Sequence, residues 1–289
     1  MSHEQGWNLH DGDEVVPRCT AIRKLGGGRA YEAYEAFDDR LLTPVVVKIV
    51  RPHLVADEPT LRGLRREVTL LGRLNHPVIV RGFHAATDGD RPYVALEYLP
   101  GPRLSTLLRK GGALPLNQLL PLAIDLCTGL HYMHDCGVVH IDVKPSNIIM
   151  DATPRLIDLS VARTIEQASA LDHPVGTDRY MAPEQCAPQA GHGPGPAADI
   201  WGLGATLYEA AFGHRAFVDS PDESHPQVHD APLPPAGSVP LAVVEPIMQC
   251  LSRDPGARPT AAELMTALAA PREQLPRPKI GFFRPKTRQ

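Results

Sequence analysis

Through the first hundred residues, apolar and polar positions alternate in short runs: TAIRKL (20–25), YEAYEAF (31–37), PVVVKIV (44–50) and PYVALEYL (92–99). Period-two runs rich in Val, Ile and Tyr predict β-strands. One segment among them has a different period. Between about Pro59 and Leu74 the apolar residues Leu61, Leu64, Val68, Leu71 and Leu74 recur at helical spacing, with Asp57 placed to cap and Pro59 in the first turn. After the PGP turn at 100–102 the period becomes helical. LNQLLPLAIDLCTGLHYMHDCG (116–137) predicts a long helix closed by Gly137. Two short strands follow, in NIIM (147–150) and RLIDL (155–159). AADIWGLGATLYEAAFG (197–213) predicts a second buried helix, a Pro-rich loop spans about 220–240, and further helices lie near 241–252 and 260–269. The expected fold class is therefore α+β, a small β-rich lobe with one main helix followed by a larger, mainly helical lobe. The hinge falls near residues 99–101.

Composition narrows this picture. The 289 residues suffice for two lobes with a sizeable core, and 43% hydrophobic with 21% charged residues is ordinary for a soluble protein. A net charge of −4 offers no basic footprint for nucleic acid. The five cysteines are scattered without a CxxC pair, which points to a reducing, cytoplasmic setting. No apolar run approaches the roughly 20 residues of a membrane span. The polar residues 1–17 are expected to be a flexible N-terminus, followed by a domain over 18–271 with lobes 18–99 and 100–271. The final stretch, PREQLPRPKIGFFRPKTRQ, holds six basic residues against one acid, and four prolines. Residues 272–289 are accordingly expected to form a basic, disordered tail.

Three stretches carry chemistry. LGGGRAYEAY (25–34) sets three glycines between two strands, either an ordinary hairpin turn or a loop whose amides approach a phosphate. Lys48 ends a strand of valines, and Glu67 lies on the apolar stripe of the helix. They are either surface charges or a pair that needs each other, because a buried unpaired charge is costly. HIDVKPSN (140–147) is the most specific. Asp142 can orient a hydroxyl or accept its proton, Lys144 can stabilise developing phosphoryl charge, and Asn147 offers a carbonyl oxygen to a hard cation. Asp158, sixteen residues after Asp142, supplies a second metal oxygen.

These residues, with VGTDRYMAPEQ (175–185), DIWGLG (199–204) and DPGARPT (254–260), resemble the protein kinase superfamily, in particular the bacterial eukaryotic-like Ser/Thr kinases. The resemblance covers roughly residues 20–270 and implies a bilobal kinase fold. It implies that Lys48, held by Glu67, binds the α- and β-phosphates of ATP, and that Asp142 and Lys144 act at the transferred group. Asn147 and Asp158 would hold Mg²⁺, with Mn²⁺ as an alternative. The same resemblance implies an ATP pocket formed by Leu25, Gly26, Gly28, Ala33, Val46, Leu96, Glu97, Leu99 and Ile149. Thr177, Glu184, Asp199 and Arg258 would have structural or regulatory roles, Glu184 pairing with Arg258.

Four positions depart from the family pattern. Tyr31 replaces the third loop glycine, Ser160 the glycine of the DFG motif, and Arg103 the acid usual beside the ribose. Ile141 replaces the arginine of HRD. That arginine contacts a phosphate on the activation loop, which isoleucine cannot do. The implied activity is ATP-dependent phosphorylation of Ser/Thr hydroxyls of unnamed protein substrates, without a need for loop phosphorylation. The competing readings are a pseudokinase serving as a nucleotide-binding scaffold, or a small-molecule kinase of related fold. The peptide-docking segments 175–185 and 254–260 disfavour the latter.

Overall fold

The computed structural model describes residues 6–188, 193–218, 225–235, 237 and 239–273. The small lobe is a six-stranded antiparallel sheet ordered β1-β2-β3-β4-β6-β5. Its strands are β1 (Glu14–Val16), β2 (Cys19–Gly27), β3 (Tyr31–Asp38), β4 (Thr43–Val50), β5 (Gly82–Ala86) and β6 (Tyr93–Glu97). Helix α1 (Glu58–Arg73) packs against it. Asp57 caps α1 by accepting the Thr60 N–H at 3.0 Å. The periodic leucines Leu61, Leu64 and Leu71 are buried, and Glu67 is buried among them. Strand pairing decides which side chains face the cleft. Ala33 stands opposite Lys48, Val46 opposite Leu96, and Lys48 opposite Val94. Residues directly opposite share a face, so Tyr31, Ala33, Val46 and Lys48 line one side of the sheet.

The larger lobe is helical: α2 (Leu104–Gly111), α3 (Leu116–Asp135), α4 (Ile165–Ser169), α5 (Pro183–Cys186), α6 (Pro196–Phe212), α7 (Leu241–Cys250) and α8 (Ala261–Glu273). Its two-residue strands are β7 (Val138–Val139), β8 (Ile148–Ile149), β9 (Arg155–Leu156) and β10 (Arg163–Thr164), pairing β7 with β10 and β8 with β9. Helix α6 is buried almost all round, with Trp201, Leu203, Leu207 and Tyr208 inside. A helix buried on every side lacks a polar face, which the 197–213 run shows in sequence. Gly101 explains how the hinge reaches this lobe. A Cβ there would sit 2.1 Å from the Met150 carbonyl oxygen, so only glycine permits the approach.

The start of the chain differs from its expectation. Val15 and Val16 are fully buried, and β1 joins the sheet edge. Trp7 donates its indole N–H to the Val50 carbonyl at 2.8 Å and its backbone N–H to Glu32 at 3.0 Å. The Arg91 guanidinium lies 4.9 Å from the Trp7 ring centroid. The apolar residues Trp7, Leu9, Val15 and Val16 therefore bind a polar-looking segment to the lobe. At the other end, α8 takes in Arg272 and Glu273, the first two residues of the tail expected over 272–289, and the rest of that tail lies outside the described residues. Strands β1 and β5 were also unexpected, the first for its length and the second for its weak alternation, GFHAA.

We expect Trp7→Ala to destabilise the domain by about 1–3 kcal/mol, from one lost hydrogen bond and one lost cation–π contact. Urea unfolding followed by circular dichroism checks this, and an unchanged midpoint would mean that the segment is only laid on the surface.

Candidate active site

The Lys48 ammonium is the junction of the cleft. It donates to both carboxylate oxygens of Glu67, each at 2.9 Å, and to Oδ1 of Asp158 at 2.8 Å. The paired reading of Lys48 and Glu67 thus holds over the surface-charge one. Burial disfavours the Lys48 cation, but the two carboxylates outweigh it and hold its pKa above the usual lysine range. Burial likewise works against the Asp158 anion, and Lys48 more than reverses it, so that this carboxyl lies well below its usual range. Glu67 is the deepest of the three, and there burial wins over Lys48 and raises its pKa. One ammonium between two carboxylates leaves the cluster a negative charge in excess.

Asp142 is held on both oxygens. Thr177 donates its hydroxyl to Oδ1 at 2.7 Å, while Oδ2 accepts from Lys144 at 2.7 Å and from the Asn147 amide at 2.9 Å. Lys144 also donates to Thr177. Asn147 gives its amide hydrogens to the carboxylate and carbonyl of Asp142, so its side-chain oxygen remains as an acceptor. Asn147 and Asp158 therefore offer oxygen ligands beside an uncompensated negative charge. That donor set fits a hard divalent cation, which takes few protein oxygens and completes its shell with phosphate and water.

The backbone here is strained at a telling place. Ile141 has φ +53° and Asp158 φ +68°. A β-branched residue in this region is an outlier. Asp199 holds it there, accepting the N–H of His140 at 2.9 Å and of Ile141 at 2.7 Å, plus His134 Nε2 at 2.9 Å. The side chain of Ile141 is buried with Val139, Ala168 and Leu171, and Val161, Ile165 and Val175 pack on them. Ser160, which stands in place of the motif's glycine, is not among the residues at positive φ. The positive φ falls on Asp158, and Leu159 fills its apolar slot at zero exposure.

The remaining candidates fall where strand order and chain direction put them. Leu96 and Ile149 are buried, Leu99 is partly buried, and Leu25 is largely exposed. Glu97 pairs through its side chain with Arg155. Gly26 has φ +140° and Gly28 stays open, but the sterically demanding glycine is Gly27, where a Cβ would lie 2.5 Å from the Tyr31 carbonyl oxygen. Arg103 donates to the Ser146 carbonyl at 2.6 Å and ties α2 to the catalytic loop. Arg258 forms a two-pronged pair with Glu184 at 2.6 and 2.9 Å and lies 5.0 Å from the Trp201 ring centroid.

Three features lay beyond the sequence reading. Arg66, next to Glu67, stands near Arg163, and among the described residues neither makes an ion pair. Burial and the neighbouring Arg66 press the Arg163 pKa down to about 10. Only the fold brings α1 and β10 together. The second feature is Glu32, fully buried behind the Gly-rich turn with donors from Lys24, Arg51, Tyr34 and the Trp7 backbone. On the sheet's outer region Cys19, Asp38 and His84 also converge, and Asp38 accepts from both of the others.

A two-lobed domain with this lysine–carboxylate junction and this aspartate-centred loop is a protein kinase domain. The chain belongs to that family, whose profile, described as "Protein kinase domain", matches residues 19–268. It is 33% identical over 261 residues to the serine/threonine-protein kinase PknB of Mycobacterium leprae, covering 84% of this chain and 41% of that protein. It is 37% identical over 239 residues to the probable serine/threonine-protein kinase PkwA of Thermomonospora curvata, covering 78% and 30%. PknB of Mycobacterium tuberculosis is 32% identical over 265 residues, covering 84% and 41%. The chain thus spans well under half the length of these relatives. No helix among the described residues is long and apolar enough to cross a membrane.

The junction has a pH signature. In Lys48→Met, Glu67 and Asp158 lose their cation, and their folded pKa values rise above the unfolded ones. The folded state then binds more protons than the unfolded state, so its stability falls as pH rises through that window. We expect the thermal stability of Lys48→Met relative to wild type to be lower at pH 8 than at pH 5.5. Melting curves at both pH values check this, and a pH-independent difference would contradict the charge assignment.

Proposed function

We propose that the protein transfers the γ-phosphate of ATP to serine and threonine hydroxyls of proteins. The observation that carries this is the constellation around Asp142, its carboxylate fixed by Lys144, Asn147 and Thr177 in the same cleft as the Lys48–Glu67–Asp158 junction. Phosphoryl transfer needs these roles and little covalent chemistry from the protein. Asp142 orients the substrate hydroxyl and takes its proton as the oxygen bonds to the γ-phosphorus. The bond from that phosphorus to the bridging oxygen breaks, and ADP leaves. Lys144 stabilises the charge on the transferred group, and Lys48 holds the α- and β-phosphates while Glu67 keeps it in place. Ala33 and Val46 cover the adenine, with Ile149 beneath it and the backbone of Glu97 and Leu99 at its edge. Leu25, Gly26 and Gly28 contribute the turn over the nucleotide, and Leu96 bounds the pocket. Mg²⁺, or Mn²⁺ in its place, would be held by Asn147 and Asp158 and would neutralise phosphate charge. The five free cysteines, three of them buried, accord with a reducing compartment, and we place the protein in the cytoplasm.

The scaffold reading rests on Tyr31, Ser160 and Ile141. Ser160 has an ordinary backbone and Ile141 is packed, so neither removes a working group. Incubation of the purified chain with Mg-ATP and myelin basic protein separates the readings. Wild type is expected to incorporate phosphate. Asp142→Asn is expected to lose at least about 10²-fold in rate while binding nucleotide nearly as well, because Asp142 acts on the hydroxyl. Wild type without transfer but with nucleotide binding would favour the scaffold.

We further propose that activity does not depend on activation-loop phosphorylation. The support is the apolar cluster of Ile141, which packs Ala168, Leu171, Ile165 and Val175 of the loop against the catalytic loop. Gln185 adds bonds to the carbonyls of Ile141 and Val175 at 2.9 and 3.0 Å, and the Glu184–Arg258 pair anchors the far end. The cations nearest to hand are Arg163, next to Thr164 in the chain, and Arg73, whose charge acts on Glu166 in the short helix α4. Full dephosphorylation, and Thr164→Ala with Ser169→Ala, are expected to leave initial rates within about twofold. A lag that ends as phosphate accumulates, or a fall of about tenfold (roughly 1.4 kcal/mol of barrier), would show that those arginines have taken over from the missing one.

A further inference from the structure

We propose that Tyr31 is a positioning residue for nucleotide binding, acting through Lys48; this rests on the kinase reading. Tyr31 stands at the end of the Gly-rich turn, partly buried and packed against the core. Its ring centroid lies 4.6 Å from the Lys48 ammonium. Its hydroxyl is 3.4 Å from the Thr60 carbonyl oxygen in the first turn of α1. A Cβ placed on Gly63, one turn further along, would be 3.7 Å from that hydroxyl. Tyr31 therefore touches the Gly-rich turn, Lys48 and α1 together.

The ammonium's own bonds show what the ring adds. All three N–H donors of Lys48 are taken by carboxylate oxygens, two on Glu67 and one on Asp158. The aromatic face supplies a further contact that uses no donor, through attraction of the cation to the ring quadrupole. When a phosphate claims an N–H, Lys48 must turn it away from Asp158. The ring and Glu67 then keep the ammonium in place, so less side-chain freedom is lost on binding. Burial is the first cause that lifts the Tyr31 phenol to about 12, and Lys48 opposes it. The group thus remains a neutral O–H donor toward Thr60.

The two contacts of Tyr31 can be tested apart. Tyr31→Phe keeps the ring and loses the hydroxyl, whereas Tyr31→Leu keeps bulk and loses the quadrupole. Fluorescence titration with mant-ADP and Mg²⁺, on the 289-residue chain, reads nucleotide affinity without needing turnover. Initial rates against ATP concentration give KM and kcat, and melting curves report folding. We expect Tyr31→Leu to weaken mant-ADP binding and raise the KM for ATP by roughly three- to thirtyfold, the range such contacts span, with a smaller change in kcat. Tyr31→Phe is expected to recover most of that affinity. Leucine binding within twofold of wild type, or phenylalanine as weak as leucine at equal melting temperature, would overturn the proposal. So would Tyr31→Gly binding more tightly than wild type, which would make the ring an obstruction. A wild-type chain that binds mant-ADP but transfers no phosphate would sink the kinase reading and leave the titration to decide the role of Tyr31 in binding.

Discussion

The buried carboxylate of Asp199 is the constraint on which the catalytic loop depends. Fully enclosed, it accepts two consecutive backbone N–H groups, from His140 and Ile141, and a third donor from His134. Those bonds fix the peptide plane that enters Ile141, and Gln185 holds the carbonyl that leaves it, so the bend at positive φ lies between two fixed planes. Such strain costs about 1–3 kcal/mol, and charge-assisted bonds to a buried anion are strong enough to offset it. The bend then delivers Asp142 toward the cleft. Because Asp199 belongs to the rigid helix α6, the loop's geometry is inherited from the core of the large lobe.

The small lobe solves a different problem, the placing of one cation. Lys48 comes from a strand, Glu67 from a helix and Asp158 from the large lobe, so the three meet only when sheet, helix and lobes are all in register. A single point charge with three donors suits this task because it can trade one partner for another without losing the rest. The apolar stripe of α1 does the positioning. Its leucines fix the helix rotation, and that rotation aims Glu67 inward.

Much of this was legible in the chain, and what escaped has physical causes. Glu67 could be read as inward-facing because it sits on a leucine stripe of clear period. The roles expected of Asp142, Lys144 and Asn147 rested on their density within eight residues. The positive φ at Asp158 was not legible, because a motif says which residues neighbour each other, not which of them takes the strained dihedral. Residues 7–16 looked loose because three or four apolar side chains were diluted by polar ones, and burial depends on where those few point. The Arg66–Arg163 encounter had no local signal at all, since it joins elements about a hundred residues apart. The deeply buried Glu32 likewise reads on its strand as one more alternating polar position.

The anchoring of Trp7 bears on where the folded unit begins. The kinase profile starts at residue 19, yet Glu32 draws a backbone donor from Trp7 and the carbonyls of Glu14 and Val15 accept from Arg91. A chain cut at residue 19 would leave a buried carboxylate one donor short and an exposed edge on β2, open to pairing with another molecule. The smallest independently folded piece of this protein should therefore retain Trp7. Limited proteolysis should leave Trp7 attached to the resistant core, rather than trimming the chain to where sequence similarity to the family begins.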